Sequence, residues 1–397
     1  MAMEDVKIVQ KKAEKKYVMR EPSLDKLLSD KKLEEIAVNG PNEPVFIFHR
    51  DYGRCETNLE MDEDSILEFI GGVAEDSADY INKTKPFLDA KLPDGSRLNA
   101  TIPPATPEGP TMTISRFREK PFSILDLIEN NTIPKDAAAF LWTAVEGEKN
   151  YPMNTLVIGG TGAGKTTTLN TLMTFVPTEE RISCIEDTME LNFFGRKNLV
   201  RMVTVPPMQS REPITMNDLL ENALRMRPDR LVVGEVRGKE AGSLFNAMNV
   251  GHSAMGTLHA NSPNELAARL TNPPMNVPEN MLALIDLIVV QKKIVHGNDV
   301  RRRVSTITEV SRSEGGVGFN ELFMYDEEED KLKRTDTPSR KLEELGSLAG
   351  KSLGEMQEGL EHKKTYLEKL LERGIHGLEE TNEKIQDYYS VKYLEED

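Results

Sequence analysis

Apolar residues in this chain come in short runs separated by charged and turn-forming residues, and the spacing within each run predicts its element. Leu24, Leu27 and Leu28 share one helical face behind Ser23, a residue suited to cap a helix. Val45-Phe46-Ile47-Phe48 reads as a strand. Asp62 to Val73 reads as a helix with Ile66, Leu67, Phe69 and Ile70 apolar. Phe87 to Ile102 reads as a hairpin around Pro93-Asp94-Gly95-Ser96, and Thr111 to Phe117 alternates like a further strand. Together these make a first α/β domain. The pattern changes at Glu119-Lys120-Pro121, where Ile124 to Ile128 and Ala137 to Val145 read as helices interrupted at Pro134. A linker is therefore expected near 118–135.

Beyond it the runs become more strongly apolar. Thr155 to Ile158, Arg181 to Ile185 and Leu231 to Gly234 suit buried parallel strands. Thr167 to Phe175 reads as a helix stopping before Pro177, and Asn217 to Met226 as an amphipathic helix closed by Pro228. Asp286 to Val295 and Arg301 to Val310 flank the turn His296-Gly297-Asn298-Asp299. Glu321 to Lys333 reads as a hairpin around the acidic turn 326–330. From Lys341 to Tyr393 the pattern is helical and highly charged, with Met356, Leu360, Tyr366, Leu367, Leu370 and Leu371 at three and four spacing. That repeat is too short for a coiled coil and predicts a small helical subdomain packed on its own chain. Residues 1–20, rich in Lys and Glu, read as a solvated helix or frayed terminus. The expected division is a basic segment over 1–20, an α/β domain over 21–130, a nucleotide domain over 131–310, and a C-terminal hairpin and helical segment over 311–397.

Composition narrows the classes. The chain has 397 residues, 38% of them hydrophobic, and a net charge of −16. An acidic balance of this size opposes binding to a nucleic-acid phosphate backbone, so no nucleic-acid partner is expected. The two cysteines, Cys55 and Cys184, have no metal-ligand spacing and fit a reducing cytoplasm. The N-terminus lacks a signal-peptide apolar region. Met281 to Val290 is too short and carries Asp286, so no segment is expected to span a bilayer, and a soluble cytoplasmic protein is expected.

Candidate chemistry centres on Gly159-Gly160-Thr161-Gly162-Ala163-Gly164-Lys165-Thr166, which fits G-x-x-x-x-G-K-[ST] between a strand and a helix. Glycines let the backbone wrap phosphate oxygens with N–H groups pointing inward. In that arrangement Lys165 reaches the β/γ-phosphates, Thr166 offers its hydroxyl to Mg²⁺, and Thr167 opens the helix. ATP and Mg²⁺ are the expected ligands. Glu186 follows the strand 181–185, where ligands bind in open α/β sheets, and reads as the acid that orients or deprotonates the attacking water. Glu235 ends Leu231-Val232-Val233-Gly234 and reads as a Walker B acid, replacing the commoner Asp, that either holds the Mg²⁺ water shell or positions the nucleophilic water. His252 and His259 flank a short strand and read as γ-phosphate sensors. Arg97, Arg116 and Arg118 in the first domain are either solvated surface residues or phosphate contacts; Arg225, Arg227 and Arg230 either contact a neighbour's phosphate or neutralise nearby acids.

The ordered series of Walker A (159–166), the acidic box IEDTMEL (185–191), the Walker B segment LVVGEVRG (231–238) and the His box GHSAMGTLHA (251–260) resembles the type II/type IV secretion ATPase superfamily. VNGPNEP (38–44), LPDGSRLNATIPP (92–104) and TISRF (113–117) resemble the first domain of its Tad-type pilus and archaeal pilus and archaellum motors. The resemblance covers roughly residues 20–310. It implies a RecA-like P-loop domain preceded by a smaller α/β, PAS-like domain and followed by a helical C-terminal segment. It also implies a homo-hexamer that hydrolyses ATP between its two domains. That ring would work with a polytopic membrane platform protein and pilin-like filament machinery, peripheral at the cytoplasmic face of the membrane. A conjugation or type IV secretion traffic ATPase, or a nucleic-acid translocase on the same core, is the alternative. Under the resemblance Glu186 and Glu235 are the catalytic acids, His259 belongs to the His box, and Arg97, Arg116 and Arg118 become arginine-finger candidates.

Overall fold

The structure, a computed structural model, describes residues 6–11, 14–77, 79–116, 121–205, 212–296, 299–313 and 316–394. Its internal contacts divide the chain between Glu119 and Lys120. No described helix is long and apolar enough to cross a membrane.

The first unit runs β1 (Val6–Lys11), β2 (Glu14–Met19), α1 (Leu24–Ser29), β3 (Leu33–Val38), β4 (Pro44–His49), β5 (Gly53–Glu60), α2 (Glu63–Asp76), β6 (Phe87–Lys91), β7 (Arg97–Thr101) and β8 (Thr111–Ser115). The strands form one sheet in the order β1-β2-β5-β4-β3-β8-β7-β6. Ser23 and Asp62 cap α1 and α2 by accepting from the backbone N–H three residues on. The N-terminal segment differs from expectation. It is a β-hairpin, and β2 adds to the sheet beside β5. Its period is two rather than helical: Tyr17 and Met19 are buried, with Val6 and Ile8 packed against the same cluster. The lysines between them mask that alternation in the sequence.

The second unit runs α3 (Ile124–Glu129), α4 (Lys135–Glu146), β9 (Thr155–Gly159), α5 (Lys165–Leu172), β10 (Ile182–Glu186), β11 (Leu199–Val203), α6 (Met216–Leu224), β12 (Arg230–Val236), α7 (Glu240–Asn249), β13 (Ser253–Leu258), α8 (Pro263–Thr271), β14 (Leu287–His296), β15 (Asp299–Ser313), β16 (Gly316–Asp326), β17 (Lys331–Arg334), α9 (Arg340–Ala349), α10 (Leu353–Glu372) and α11 (Leu378–Leu394). The sheet order is β11-β10-β12-β13-β9-β14-β15-β16-β17. From β11 to β14 all neighbours are parallel, and beyond β14 they are antiparallel. The turn joining β14 and β15 includes residues 297 and 298, which lie outside the described residues. Because parallel strands are covered on both faces, the two side-chain sets of each strand enter two different cores. Val157, Cys184, Val232 and Met255 join one; Leu156, Ile158, Ile185 and Val233 join the other.

The C-terminal helices pack on their own chain, as expected, and share its core rather than building a separate one. Leu342, Met356, Leu367, Leu370 and Tyr389 belong to the same core as Trp142, Phe175 and the sheet residues. Trp142 stacks on Phe175 and donates from its indole nitrogen to the Tyr389 hydroxyl at 2.6 Å. Lys363, fully buried, pairs with the equally buried Glu146 and donates to Thr143 Oγ1 at 2.9 Å. A buried pair costs most when one partner is removed, because the other charge is left without compensation. Lys363→Met is expected to destabilise the fold by about 3–5 kcal/mol in urea unfolding. Adding Glu146→Leu should restore most of that loss.

Candidate nucleotide site

Three neighbouring strands deliver the site. β9, β13 and β12 lie side by side, with Leu258 opposite Ile158 on one side and Val236 on the other. Their carboxyl ends therefore present, in one row, the glycine loop, His259 and Glu235. A strand lying between the glycine-loop strand and the acid strand is the RecA-like arrangement that the sequence series implies, and the carboxyl edge is where open α/β sheets bind ligands.

The loop needs its glycines for different reasons. A Cβ at Gly159 would run into the backbone carbonyl of Gln291 on β14, so the strand ends against a neighbour with no room for a side chain. Gly162 and Gly164 have φ of 69° and 101°, which favour glycine. Space above Gly162 is open, and Gly160 has only Asn261 Oδ1 near, at 3.5 Å. The loop thus has both the backbone shape and the clearance that phosphate oxygens require. Thr168 donates to the Gln291 side chain at 2.7 Å, fixing α5 to β14.

Lys165 opens α5 and folds back over the loop. Its ammonium donates to the Gly160 carbonyl at 3.1 Å and lies 3.3 Å from His259 Nδ1. His259 Nε2 lies 2.9 Å from Glu235 Oε1. A neutral imidazole can accept from the Lys165 ammonium, which lies 3.3 and 3.4 Å from its two ring nitrogens, whereas Glu235 Oε1 is buried with no hydrogen-bond partner among the described residues and meets Nε2 only as a close contact. Burial, together with the Lys165 charge, holds the His259 imidazole below its ordinary value, which keeps it neutral at neutral pH. Burial also lowers the Lys165 ammonium, with Glu235 opposing the shift. For Glu235, burial pushes the carboxyl up, but the hydrogen bond from Arg237 and the nearby positive charges outweigh it and hold the group low.

The other expected residues fall in different places. Glu186 is buried, and Oε1 accepts from the N–H groups of Glu190 and Leu191 at 2.8 and 2.9 Å. Its Oε2 lies 3.1 Å from the Arg201 guanidinium. The structure thus ties Glu186 to the 187–191 loop with both oxygens engaged, and brings Glu235, through His259, to Lys165. His252 precedes β13 while His259 follows it, so the two lie at opposite ends of a strand about 20 Å long. Only His259 is at the glycine loop; His252 contacts the Pro228 carbonyl at 3.2 Å. Arg230 is fully buried and forks onto Glu180, so it is no surface phosphate contact. In the first unit, Arg97 pairs with Asp89 across the β6–β7 hairpin. Arg116 is mostly buried and donates to the Asp30 carbonyl at 2.6 Å. Arg118 lies outside the described residues. Two site residues had no local signal in the sequence. Arg302, on β15, donates from Nε to the Gly162 carbonyl at 3.0 Å, and Gln291 reaches the loop from β14. Both arrive through strand pairing that no motif encodes.

A model of the family described as type II/IV secretion system protein matches residues 22–361. Among curated proteins, the uncharacterized protein MJ0781 of Methanocaldococcus jannaschii is 51% identical over 228 residues, 57% of this chain and 32% of its own length. The uncharacterized protein MJ0900 of the same organism is 30% identical over 378 residues, covering 93% of this chain and 66% of its own length. This chain therefore spans only about a third of the first relative and less than two thirds of the second. The type IV secretion system protein PtlH of Bordetella pertussis is 29% identical over 318 residues, 70% of this chain and 91% of that protein. Among solved structures, the pilus retraction motor PilT with bound ADP shares the fold, with a TM-score of 0.50 and 18% identity over 83% of this chain and 89% of that one.

Proposed function

The chain belongs to the type II/IV secretion system protein family, and on that premise we propose that it is an ATP-hydrolysing motor working as a ring, a homo-hexamer, at the cytoplasmic face of a membrane. The observation that carries this reading is the convergence of Lys165, His259 and Glu235 beneath an open glycine loop. That set has a use in phosphoryl transfer, where catalysis is mostly positioning and electrostatics.

The geometry supports the following residue roles. Backbone N–H groups of 160–166 and the Lys165 ammonium hold the β- and γ-phosphates. Lys165 gives up its contact with the Gly160 carbonyl to do so. Mg²⁺ arriving with the triphosphate would be held by Thr166, with Glu235 beside its water shell, and would supply charge neutralisation between the phosphates. Glu235, kept ionised by its neighbours, orients and deprotonates the attacking water. His259, within hydrogen-bond distance of Lys165 on one side and in close contact with Glu235 on the other, reports phosphate occupancy to the acid. Glu186 organises the 187–191 loop from below. Arg97, Arg116 and Arg118 remain the finger candidates of the first domain. Of the two described, Arg97 pairs with the exposed Asp89 carboxylate on its hairpin, and Arg116 is built into its own unit. The work done is assembly or movement of a pilus-like filament, or protein secretion, with a membrane platform protein as partner. The test is Mg·ATP turnover measured against protein concentration and molar mass, with added nucleic acid expected to leave the rate unchanged.

A further inference from the structure

Arg237 stands two residues past Glu235, on the turn between β12 and α7. One terminal nitrogen of its guanidinium donates to Glu235 Oε2 at 2.6 Å, and the other lies 3.6 Å from Asp187 Oδ2 in the acidic box. The turn that delivers it is fixed: Glu240 Oε1 accepts from the N–H groups of both Arg237 and Gly238 at 2.6 Å. Asp187 is held from its far side by the Thr204 hydroxyl at 3.1 Å. The Arg237 side chain is 60% exposed, and exposed ion pairs contribute little to folding stability. Stability therefore does not explain a side chain held this closely.

A planar fork of donors is suited to fixing the orientation of a carboxylate, and a charge-assisted bond of this length is among the stronger ones. Arg237 holds one oxygen of Glu235, and the other, Oε1, lies 2.9 Å from His259 Nε2 with no hydrogen-bond partner among the described residues, which leaves Arg237 as the bond that orients the carboxylate. The contacts run without a break from Lys165 through His259, Glu235 and Arg237 to Asp187. Resting on the ATP-hydrolysing reading above, we propose that Arg237 is a positioning residue that sets the carboxylate plane of Glu235 and couples that acid to the acidic-box loop. Phosphate at the glycine loop is then felt at Asp187 through five linked side chains, all carried by the second unit. Arg237 acts through Glu235 and does not touch the nucleotide.

The test compares R237Q and R237K, each alone and in an E235D background, by kcat, KM and directly measured ATP affinity. Melting curves monitored by circular dichroism confirm that each variant is folded. R237Q should lower kcat about tenfold or more while leaving ATP affinity within about twofold. R237K should recover little, because an ammonium lacks the fork. In E235D the carboxylate is already drawn back from Arg237, so adding R237Q should cost less than about threefold. Unchanged kcat in R237Q overturns the proposal. So does an equal loss in both backgrounds, which would make Arg237 independent of Glu235, or a fall in ATP affinity that matches the fall in rate, which would make it a phosphate contact. The wild-type control separates the two levels. A wild-type chain with no turnover overturns the motor reading and this proposal with it; normal wild-type turnover with an unaffected R237Q overturns this proposal alone.

Discussion

Glu235→Gln is expected to bind Mg·ATP nearly as the wild type does and to hydrolyse it about 10²–10⁴-fold more slowly, the range lost with a positioned general base. The substitution keeps the side chain's size and its bond from Arg237, because the amide oxygen still accepts. It removes the negative charge that the site maintains against burial. It also alters the close approach of His259 Nε2 to that carboxylate, because the charge that draws the two together is gone. Single-turnover hydrolysis beside equilibrium ATP binding checks it. Normal hydrolysis in this variant removes Glu235 from the reaction and returns the water-activating role to Glu186, whose carboxylate would then have to leave the N–H groups of Glu190 and Leu191.

Lys165→Ala is expected to lower turnover by about 10²–10³-fold or more, the loss typical when one preorganised donor to developing charge is removed. Unlike Glu235→Gln it should also weaken ATP binding, because the ammonium meets the phosphates in the ground state as well. The fold should tolerate the change. The lysine is buried over the loop rather than in either core, and its partners Gly160 and His259 lie at the exposed edge of the sheet. Equilibrium binding of ATP and ADP, set beside kcat, separates the two contributions. Full binding with lost turnover would confine Lys165 to the transition state.

Legibility in the sequence followed locality. The glycine loop, the acid at the end of a valine-rich run and the histidine past the next strand could be read because each is defined within a few residues of its own strand. The parallel sheet places those strand ends together without further information. Arg302 and Gln291 could not be read, because β14 and β15 bring them to the loop through register. The contacts of Glu186 were hidden for a related reason. Its position after a strand signals a ligand edge, but its burial depends on the way 187–191 folds back and on Arg201 from β11. The N-terminal hairpin misled because lysine and glutamate fill the solvent-facing positions of a strand as readily as those of a helix, so only Val6, Ile8, Tyr17 and Met19 carried its period. The C-terminal helices were legible as helices. Their union with the Trp142 core was not, because Lys363 reads as a surface charge until Glu146 is placed beside it.

We propose that this chain hydrolyses ATP as a homo-hexameric ring. The most direct measurement is the rate of Mg·ATP hydrolysis per chain across protein concentration, with molar mass by light scattering on the same samples. The account predicts a rate that rises steeply as a six-fold species forms and falls away on dilution to monomer. Full activity in a monomer, or a six-fold species with no turnover, would contradict it.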